Sequence, residues 1–209
     1  MFVFACCVGS DEKFHTQFLP GVQRCMEPDS LVLQVRSKTG ICEAYNRVID
    51  TVIGSINLEG IVFAHDDAEI LADDFLTRVR NEIKNGAGLI GVAGATGVRN
   101  LSWWDAPTLH GVVRENHRHL DLGPETKSAH TVDGLTMVVP ANTAREIRFD
   151  AEAFSRFHGY DIDYSFAVRH AGKSISILRT SIWHHTFGGY GDRSAFDAAD
   201  AALRKKWTL

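Results

Sequence analysis

The chain has 209 residues, of which 44% are hydrophobic and 23% are charged, with a formal net charge of −4. This composition is ordinary for a globular protein and the length suits one well-buried core, so we expect a single domain over residues 1–209. The small negative charge argues against a nucleic-acid partner, and no apolar run approaches the length of a membrane span.

Cysteine usage favours a reducing compartment. Cys6 and Cys7 are adjacent inside an apolar run, and neither Cys25 nor Cys42 forms a CxxC pair. Such residues are expected to be free thiols rather than disulfides or zinc ligands. Residues 1–8 are apolar but too short for a signal sequence and lack a basic lead-in. We therefore expect a cytoplasmic protein.

Strands and helices alternate in the first half of the chain. Short apolar, β-prone runs predict strands at residues 2–8, 31–35, 61–64 and 88–93. Apolar residues at helical spacing from Ile41 to Val52 predict a helix that ends at Gly54, and Asp73 or Asp74 is expected to cap the next helix. This alternation predicts an α/β fold with a Rossmann-like, mixed but mostly parallel sheet flanked by helices.

The second half is less regular. Residues 95–131 are rich in Gly, Asn, Pro, His and Trp, which indicates a functional loop or a small inserted hairpin. A strand over residues 132–139 is broken by Asp133-Gly134. The remaining elements are predicted as a helix over residues 161–170, a strand over residues 174–178 and a last amphipathic helix from Ser194.

An acidic tip follows the third predicted strand, where an apolar run ends in His65, Asp66 and Asp67. In an open α/β sheet the carboxyl ends of the strands are where ligands bind. Paired carboxylates there would suit Mg²⁺ or Mn²⁺. The alternative is a surface turn in which Asp66 caps the next helix, and the segment alone favours neither interpretation.

Two further polar clusters lie at predicted element boundaries. Asp161 and Asp163 flank a helix start, where acidic side chains also suit the helix dipole, so capping is the competing interpretation. His184 and His185 follow a strand and precede a glycine-rich segment at 188–191, which we expect to be flexible and to close over a ligand. Alone, the two histidines would more often be ordinary loop residues than ligands.

Several phosphate-binding and hydrolase signatures are missing. The chain has no GxGxxG after a strand, no GxxxxGK[ST] and no GxSxG. Dehydrogenase, P-loop and serine-hydrolase functions are therefore disfavoured. Any bound phosphate would have to be held by a metal and by the loops at the strand tips.

The order of these clusters resembles that of GT-A glycosyltransferases, and more narrowly the family-2-like group that includes StrF-type proteins of streptomycin biosynthesis. The resemblance covers nearly the whole chain. Its motifs are Phe4 to Glu12 (first strand and nucleotide loop), Thr39 to Asn46 (the "YN" helix), Phe63 to Asp67 (an HxD form of DxD), Val132 to Leu135 (acceptor-side strand), His158 to Tyr164 (ED-type motif) and His184 (late metal ligand).

This resemblance implies a nucleotide-diphospho-sugar donor, bound with Mn²⁺ or Mg²⁺, and a glycan or small-molecule acceptor. It assigns nucleotide and metal binding to residues 1–94 and acceptor binding and catalysis to residues 95–209. The implied metal ligands are Asp67, His65 and His184, with His185 as the neighbouring alternative. The implied nucleotide contacts are Cys7, Ser10, Tyr45, Asn46 and Asp66.

The implied catalytic base of an inverting transfer is Asp161, with Asp163 in reserve, and Tyr160 stands where the ED pair normally has glutamate. The implied acceptor side contains Trp103, Trp104, Asp133 and Gly134. For the two tryptophans the competing interpretation is that at least one packs over the core.

Two other functions stay open from the sequence. A nucleotidyltransferase would also need paired carboxylates, but the acidic loop over residues 8–12 argues against triphosphate binding. A GT-A domain that binds nucleotide or glycan without turnover is the non-enzyme alternative, because His65 and Tyr160 depart from the usual motifs. The final amphipathic helix is compatible with packing on its own domain or in a homo-oligomer.

Overall fold

The computed structural model of the chain describes residues 1–189 and 191–209. The strands are β1 (Phe2–Cys7), β2 (Leu31–Val35), β3 (Gly60–Ala64), β4 (Ala68–Ile70), β5 (Ala87–Gly91), β6 (Ala93–Thr96), β7 (Thr108–Glu115), β8 (His119–Gly123), β9 (Thr131–Val132), β10 (Thr136–Pro140), β11 (Ser174–Ile177) and β12 (Ile182–His184). The α-helices are α1 (Asp11–Lys13), α2 (Leu19–Cys25), α3 (Ile41–Val52), α4 (Phe75–Lys84), α5 (Ala141–Glu146), α6 (Tyr160–His170) and α7 (Arg193–Trp207).

The central sheet has six strands in the order β11-β5-β10-β3-β1-β2. Strand β10 runs antiparallel to its neighbours β3 and β5, whereas the other neighbouring pairs are parallel. Strands β1, β3 and β5 lie under helices and are buried almost throughout, which explains why they read as continuous apolar runs. The predicted α/β fold with a mixed, mostly parallel sheet flanked by helices is confirmed.

A second sheet, which was not predicted from the sequence, has the order β4-β12-β7-β6-β9. Strand β8 lies outside this order and pairs antiparallel with β7. The segment over residues 95–131 does contain a hairpin, β7–β8, but β7 also pairs with β6 and β12. Gly111 interrupts the β-prone pattern of β7, so the strand is not evident from the sequence. Glycine is required there because φ is 105° and a Cβ would lie 2.1 Å from the carbonyl oxygen of Val92. Close backbone approach therefore places glycine inside a strand.

Helix α3 buries the side chains that its periodicity predicts, including Ile41, Tyr45 and Ile49. The helical segment from α1 through a π-helical turn (Phe14–Phe18) to α2 was not predicted, because Pro20-Gly21 resembles a break. Pro20 sits in the first turn of α2, where a missing N–H costs little. A Cβ at Gly21 would lie 2.4 Å from the Ile70 nitrogen, so the glycine lets α2 approach β4.

Helix ends differ in detail from the sequence prediction. Asp74 is the N-cap residue of α4 but makes no side-chain capping hydrogen bond. Helix α7 begins one residue before the predicted Ser194, because the Asp192 carboxylate accepts hydrogen bonds from the Ser194 and Ala195 N–H groups. The strand predicted over residues 132–139 is interrupted at Asp133-Gly134, as expected, and its two parts lie in different sheets.

The cysteines Cys6, Cys7, Cys25 and Cys42 are free thiols, as predicted. Within residues 1–189 and 191–209, no helix combines the length and the apolar character needed to cross a bilayer.

Candidate functional site

The tips of β1 and β3 lie side by side because the two strands are parallel neighbours, with Cys6 opposite Ala64. Asp66 Oδ2 accepts hydrogen bonds from the backbone nitrogens of Gly9 at 2.8 Å and Ser10 at 2.7 Å. Asp66 therefore holds the loop after β1 against the acidic tip. The alternative in which Asp66 caps the following helix is wrong, since the next element is strand β4.

A cluster able to hold a cation lies at this tip. His65, Asp67 and His184 each offer one nitrogen or oxygen atom, and these atoms lie within 4.8 Å of one another. His184 reaches Asp67 because β12 pairs antiparallel with β4, placing His184 opposite Ala68. Two imidazoles and a carboxylate suit a divalent transition-metal ion better than Mg²⁺, which prefers oxygen ligands.

Asp67 is surrounded by positive groups. Lys13 Nζ lies 2.9 Å from Asp67 Oδ2, and His184 Nε2 lies 3.4 Å from Oδ1. Burial alone would raise the pKa of Asp67, but the hydrogen bonds from His184 and Lys13 and the charge of His184 hold it below its usual range. Burial would lower the pKa of His184, and the bond to Asp67 raises it instead. The carboxylate thus stays anionic.

The pKa of His65 is lowered by burial and by neighbouring His184, which keeps His65 neutral and able to coordinate a cation. Lys13 was missed by the sequence analysis. Its only signal is its position in the first helical turn after β1, where the Lys13 N–H donates to the Ser10 hydroxyl. The predicted nucleotide contact Ser10 is therefore also the N-cap of α1.

His185 points away from the cluster. Its Nε2 lies 2.8 Å from Glu69 Oε2, and its ring stacks on Trp183 with centroids 4.0 Å apart. Successive side chains of an extended chain point to opposite sides, so His184 and His185 cannot both face Asp67. The prediction of His185 as an alternative metal ligand is corrected accordingly.

A cavity of about 740 Å³, which we call the strand-tip cavity, opens beside the acidic tip. It is lined by Cys7, Lys13, the loop over residues 37–41, and His65, Asp66 and Asp67. Of the predicted nucleotide contacts, Cys7 and Asp66 thus face this cavity.

Tyr45 and Asn46, predicted as nucleotide contacts, do not line the strand-tip cavity. Tyr45 is completely buried, with its ring 4.3 Å from that of Phe63. The Asn46 side chain donates to the Phe149 carbonyl at 2.8 Å and accepts from the Phe149 N–H at 3.0 Å. The pair therefore joins α3 to the segment after α5, and both assignments are corrected to structural roles.

A second cavity of about 450 Å³, the Trp cavity, lies on the other side of His65. Its wall contains the predicted acceptor residues Trp103, Trp104 and Asp133, together with Asp161. Trp103 is 8% exposed and makes an edge contact with Trp104, with centroids 6.2 Å apart. One tryptophan thus packs over the core while still lining the cavity.

Asp161 is held by two backbone groups at the wall of the Trp cavity. Its Oδ2 accepts from the Gly134 N–H and its Oδ1 from the Ile162 N–H, both at 2.9 Å. Burial and the nearby Asp133 carboxylate raise the pKa of Asp161 to about 7. A carboxyl with that pKa exchanges protons readily near neutral pH.

Asp163, the reserve base, faces away from the Trp cavity. It is 2% exposed and accepts hydrogen bonds from Trp207 Nε1 at 2.8 Å and Lys206 Nζ at 3.0 Å. These contacts fasten α7 to α6. We correct Asp163 from a candidate base to a structural residue.

The glycine-rich segment borders both cavities through Gly189 and Gly191. Gly188, Gly189 and Gly191 have φ values of 87°, 113° and 61°, a region that favours glycine. Tyr190, within the segment predicted to close over a ligand, lies outside the described residues.

Residues 4–205 match the model of a family described as "Glycosyltransferase like family". Streptomycin biosynthesis protein StrF of Streptomyces griseus is 27% identical over 190 residues, which cover 90% of this chain and 68% of StrF. GalNAc-T7 in complex with UDP, GalNAc and Mn²⁺ superposes with a TM-score of 0.69 and 9% identity, over 99% of this chain and 48% of that chain.

The mannosyltransferase PcManGT from Pyrobaculum calidifontis, in complex with GDP-Man and Mn²⁺, superposes with a TM-score of 0.57 and 11% identity. The superposition covers 90% of this chain and 58% of PcManGT. At these identities the two solved structures indicate a common fold alone. This chain spans about half the length of each.

Proposed function

This chain belongs to the Glycosyltransferase like family, and on that premise we propose that it transfers a sugar from a nucleotide-diphospho-sugar to an acceptor hydroxyl with inversion. It is a glycosyltransferase with a GT-A fold, as the motif order predicts. One observation carries the proposal: His65, Asp67 and His184 converge at the strand-tip cavity, and His65 also lines the Trp cavity together with Asp161.

The strand-tip cavity is the proposed donor site. Its nucleotide end would contact Cys7 and the loop over residues 37–41, and its diphosphate end would face Lys13 and Asp67. His65, Asp67 and His184 would hold a divalent cation, with Mn²⁺ the first choice because the GalNAc-T7 and PcManGT complexes contain it. A bound cation would neutralise the charge that the leaving diphosphate gains.

Lys13 has a separate proposed role at the diphosphate. Its ammonium pairs with Asp67 at 2.9 Å in the structure, at the edge of the same cavity. With Asp67 holding a cation, the Lys13 ammonium would be available to pair with a phosphate oxygen instead. Lys13 would then add to the positive field that favours departure of the nucleotide diphosphate.

The Trp cavity is the proposed acceptor site. Trp103 and Trp104 offer apolar aromatic faces to a sugar ring or another apolar ring, and Asp133 offers a hydrogen-bond acceptor. Asp161 would take the proton of the acceptor hydroxyl. At the same time the acceptor oxygen would bond to the anomeric carbon, and the bond between that carbon and the diphosphate oxygen would break. Its pKa of about 7 suits a base that must be charged before reaction and protonated after it.

The donor site is tested by calorimetric titration of UDP, GDP, dTDP and CDP with and without Mn²⁺. We expect one nucleotide to bind the wild type in a Mn²⁺-dependent manner and to lose at least about tenfold in affinity in Asp67→Ala. Asp73→Ala, which removes an exposed carboxylate outside the strand-tip cavity, is the matched control and should bind like wild type. Binding that ignores both Mn²⁺ and Asp67 would refute the proposed donor site.

The base is tested separately with Asp161→Asn. This variant should keep nucleotide affinity, because Asp161 lies in the Trp cavity, and should lose transfer by about a hundredfold or more. Loss of nucleotide binding together with transfer would contradict the proposed division between donor and acceptor cavities.

A further inference from the structure

Tyr160 connects the two sides of the site through its hydroxyl group. The oxygen lies 2.9 Å from His65 Nε2 and 3.1 Å from the carbonyl oxygen of Gly134. A phenol has one proton, and a carbonyl oxygen can only accept. Both hydrogen bonds therefore form together only when Tyr160 donates to Gly134 and the His65 Nε2–H donates to Tyr160. This arrangement leaves Nδ1 of His65 with the lone pair.

The contact between Tyr160 and Gly134 is too close for any other residue at position 134. A Cβ there would lie 2.0 Å from the Tyr160 hydroxyl oxygen and 2.5 Å from the ring carbon that carries it. Tyr160 is 3% exposed, and burial raises its pKa well above the usual range, so the hydroxyl stays protonated. The phenol is therefore a fixed, neutral hydrogen-bonding group.

We propose that Tyr160 is a positioning residue that holds His65 in the tautomer and ring orientation needed to bind a divalent cation. The inference rests on the proposed function, which uses His65 as a ligand. In a coordinating histidine, the ring nitrogen that does not bind the metal usually has a hydrogen-bond partner. Loss of that partner lowers metal affinity by about 10- to 100-fold. In this chain that partner is a phenol standing where the family resemblance implies a glutamate.

The same contacts place Tyr160 beside the proposed base. Gly134 accepts from Tyr160 through its carbonyl and donates through its N–H to Asp161 at 2.9 Å. Two consecutive residues of α6 thus hold opposite ends of one glycine. His65 on the donor side, through Tyr160, and Asp161 on the acceptor side are thereby both held by the backbone of Gly134.

The test uses the full chain and Mn²⁺ alone, titrated by calorimetry or by the electron paramagnetic resonance signal of free Mn²⁺. Tyr160→Phe should weaken Mn²⁺ binding by about tenfold or more. Tyr164→Phe is the matched control, because Tyr164 is a buried tyrosine of the same helix whose hydroxyl lies 3.5 Å from the Ile147 carbonyl oxygen. It should bind Mn²⁺ like wild type.

A double-mutant cycle shows whether Tyr160 acts through His65. His65→Ala should weaken Mn²⁺ binding, and adding Tyr160→Phe to His65→Ala should then have no further effect. Equal losses from Tyr160→Phe with and without His65 would mean a general structural effect and would overturn the inference.

The remaining outcomes separate the inference from the function on which it rests. Wild-type Mn²⁺ affinity in Tyr160→Phe would overturn the inference and leave the proposed donor site intact. A wild-type protein that fails to bind Mn²⁺, with or without nucleotide, would overturn both.

Discussion

Replacing Asp161 by asparagine should stabilise the fold above neutral pH while abolishing transfer. Burial, with Asp133 next in effect, raises the pKa of Asp161 from an ordinary value of 3.8 to about 7. Between these two values the folded protein keeps a proton that the unfolded chain has released. The stability associated with this proton is complete below the unfolded pKa and is lost as pH rises through the folded pKa.

The size of the effect follows from proton linkage. Each pH unit between the two pKa values costs the wild type about 1.4 kcal/mol, which gives about 4 kcal/mol between about pH 4 and about pH 7. Asparagine does not titrate and avoids this loss. It has one side-chain oxygen for the Gly134 and Ile162 N–H groups, so losing one hydrogen bond costs about 1 kcal/mol at every pH.

We therefore expect Asp161→Asn to be about 1 kcal/mol less stable than wild type near pH 4 and about 3 kcal/mol more stable near pH 8. Urea unfolding at the two pH values measures this difference without any substrate or metal. Asp73→Asn, which changes an exposed carboxylate, should follow wild type at both. A difference between Asp161→Asn and wild type that does not change with pH would refute the reasoning.

Two further predictions concern pairs of neighbouring residues with different surroundings. Lys206→Met removes the cation from Asp163, whose side chain is 3% exposed, and should lower the free energy of unfolding in urea by about 2 kcal/mol. Lys205 is exposed, and Lys205→Met should change the free energy of unfolding by less than about 0.5 kcal/mol. Equal losses of stability in the two variants would contradict a stabilising contact between Lys206 and Asp163. His184→Ala should weaken Mn²⁺ binding by at least about tenfold in calorimetry. His185→Ala should leave Mn²⁺ affinity unchanged. A larger loss of Mn²⁺ affinity in His185→Ala than in His184→Ala would mean that the cation lies elsewhere.

The acidic tip is a local signal at a strand end, whereas only the family resemblance implied His184 as a ligand, and the structure brings these side chains together. The family resemblance implied Asp161 as the base and kept Asp163 in reserve, but residue pattern alone does not separate them, since both acids lie in the first turn of one helix. Two residues apart on a helix, they point in nearly opposite directions. Whether the cavity or α7 lies on a given side depends on tertiary packing.

The two errors at Tyr45 and Asn46 have a different origin. Tyr45 lies on the apolar face of α3, so helical periodicity predicts a core position for it. The family resemblance instead implied a nucleotide contact, and the structure agrees with the periodicity. Asn46 binds the backbone of Phe149, a contact between residues far apart in sequence. The second sheet was missed for the same reason, since β4 has three residues and is defined by its partner strand.

The pairing of β4 with β12 also sets the order in which the site can be completed as the chain is made. Asp67 is synthesised before His184, together with β1 and β3 of the central sheet. Until β12 pairs with β4, the growing chain has His65 and Asp67 but lacks the third member of the cluster. A nascent chain therefore cannot hold a cation with all three groups until β12 folds back onto β4, and the proposed donor site is complete only at that point.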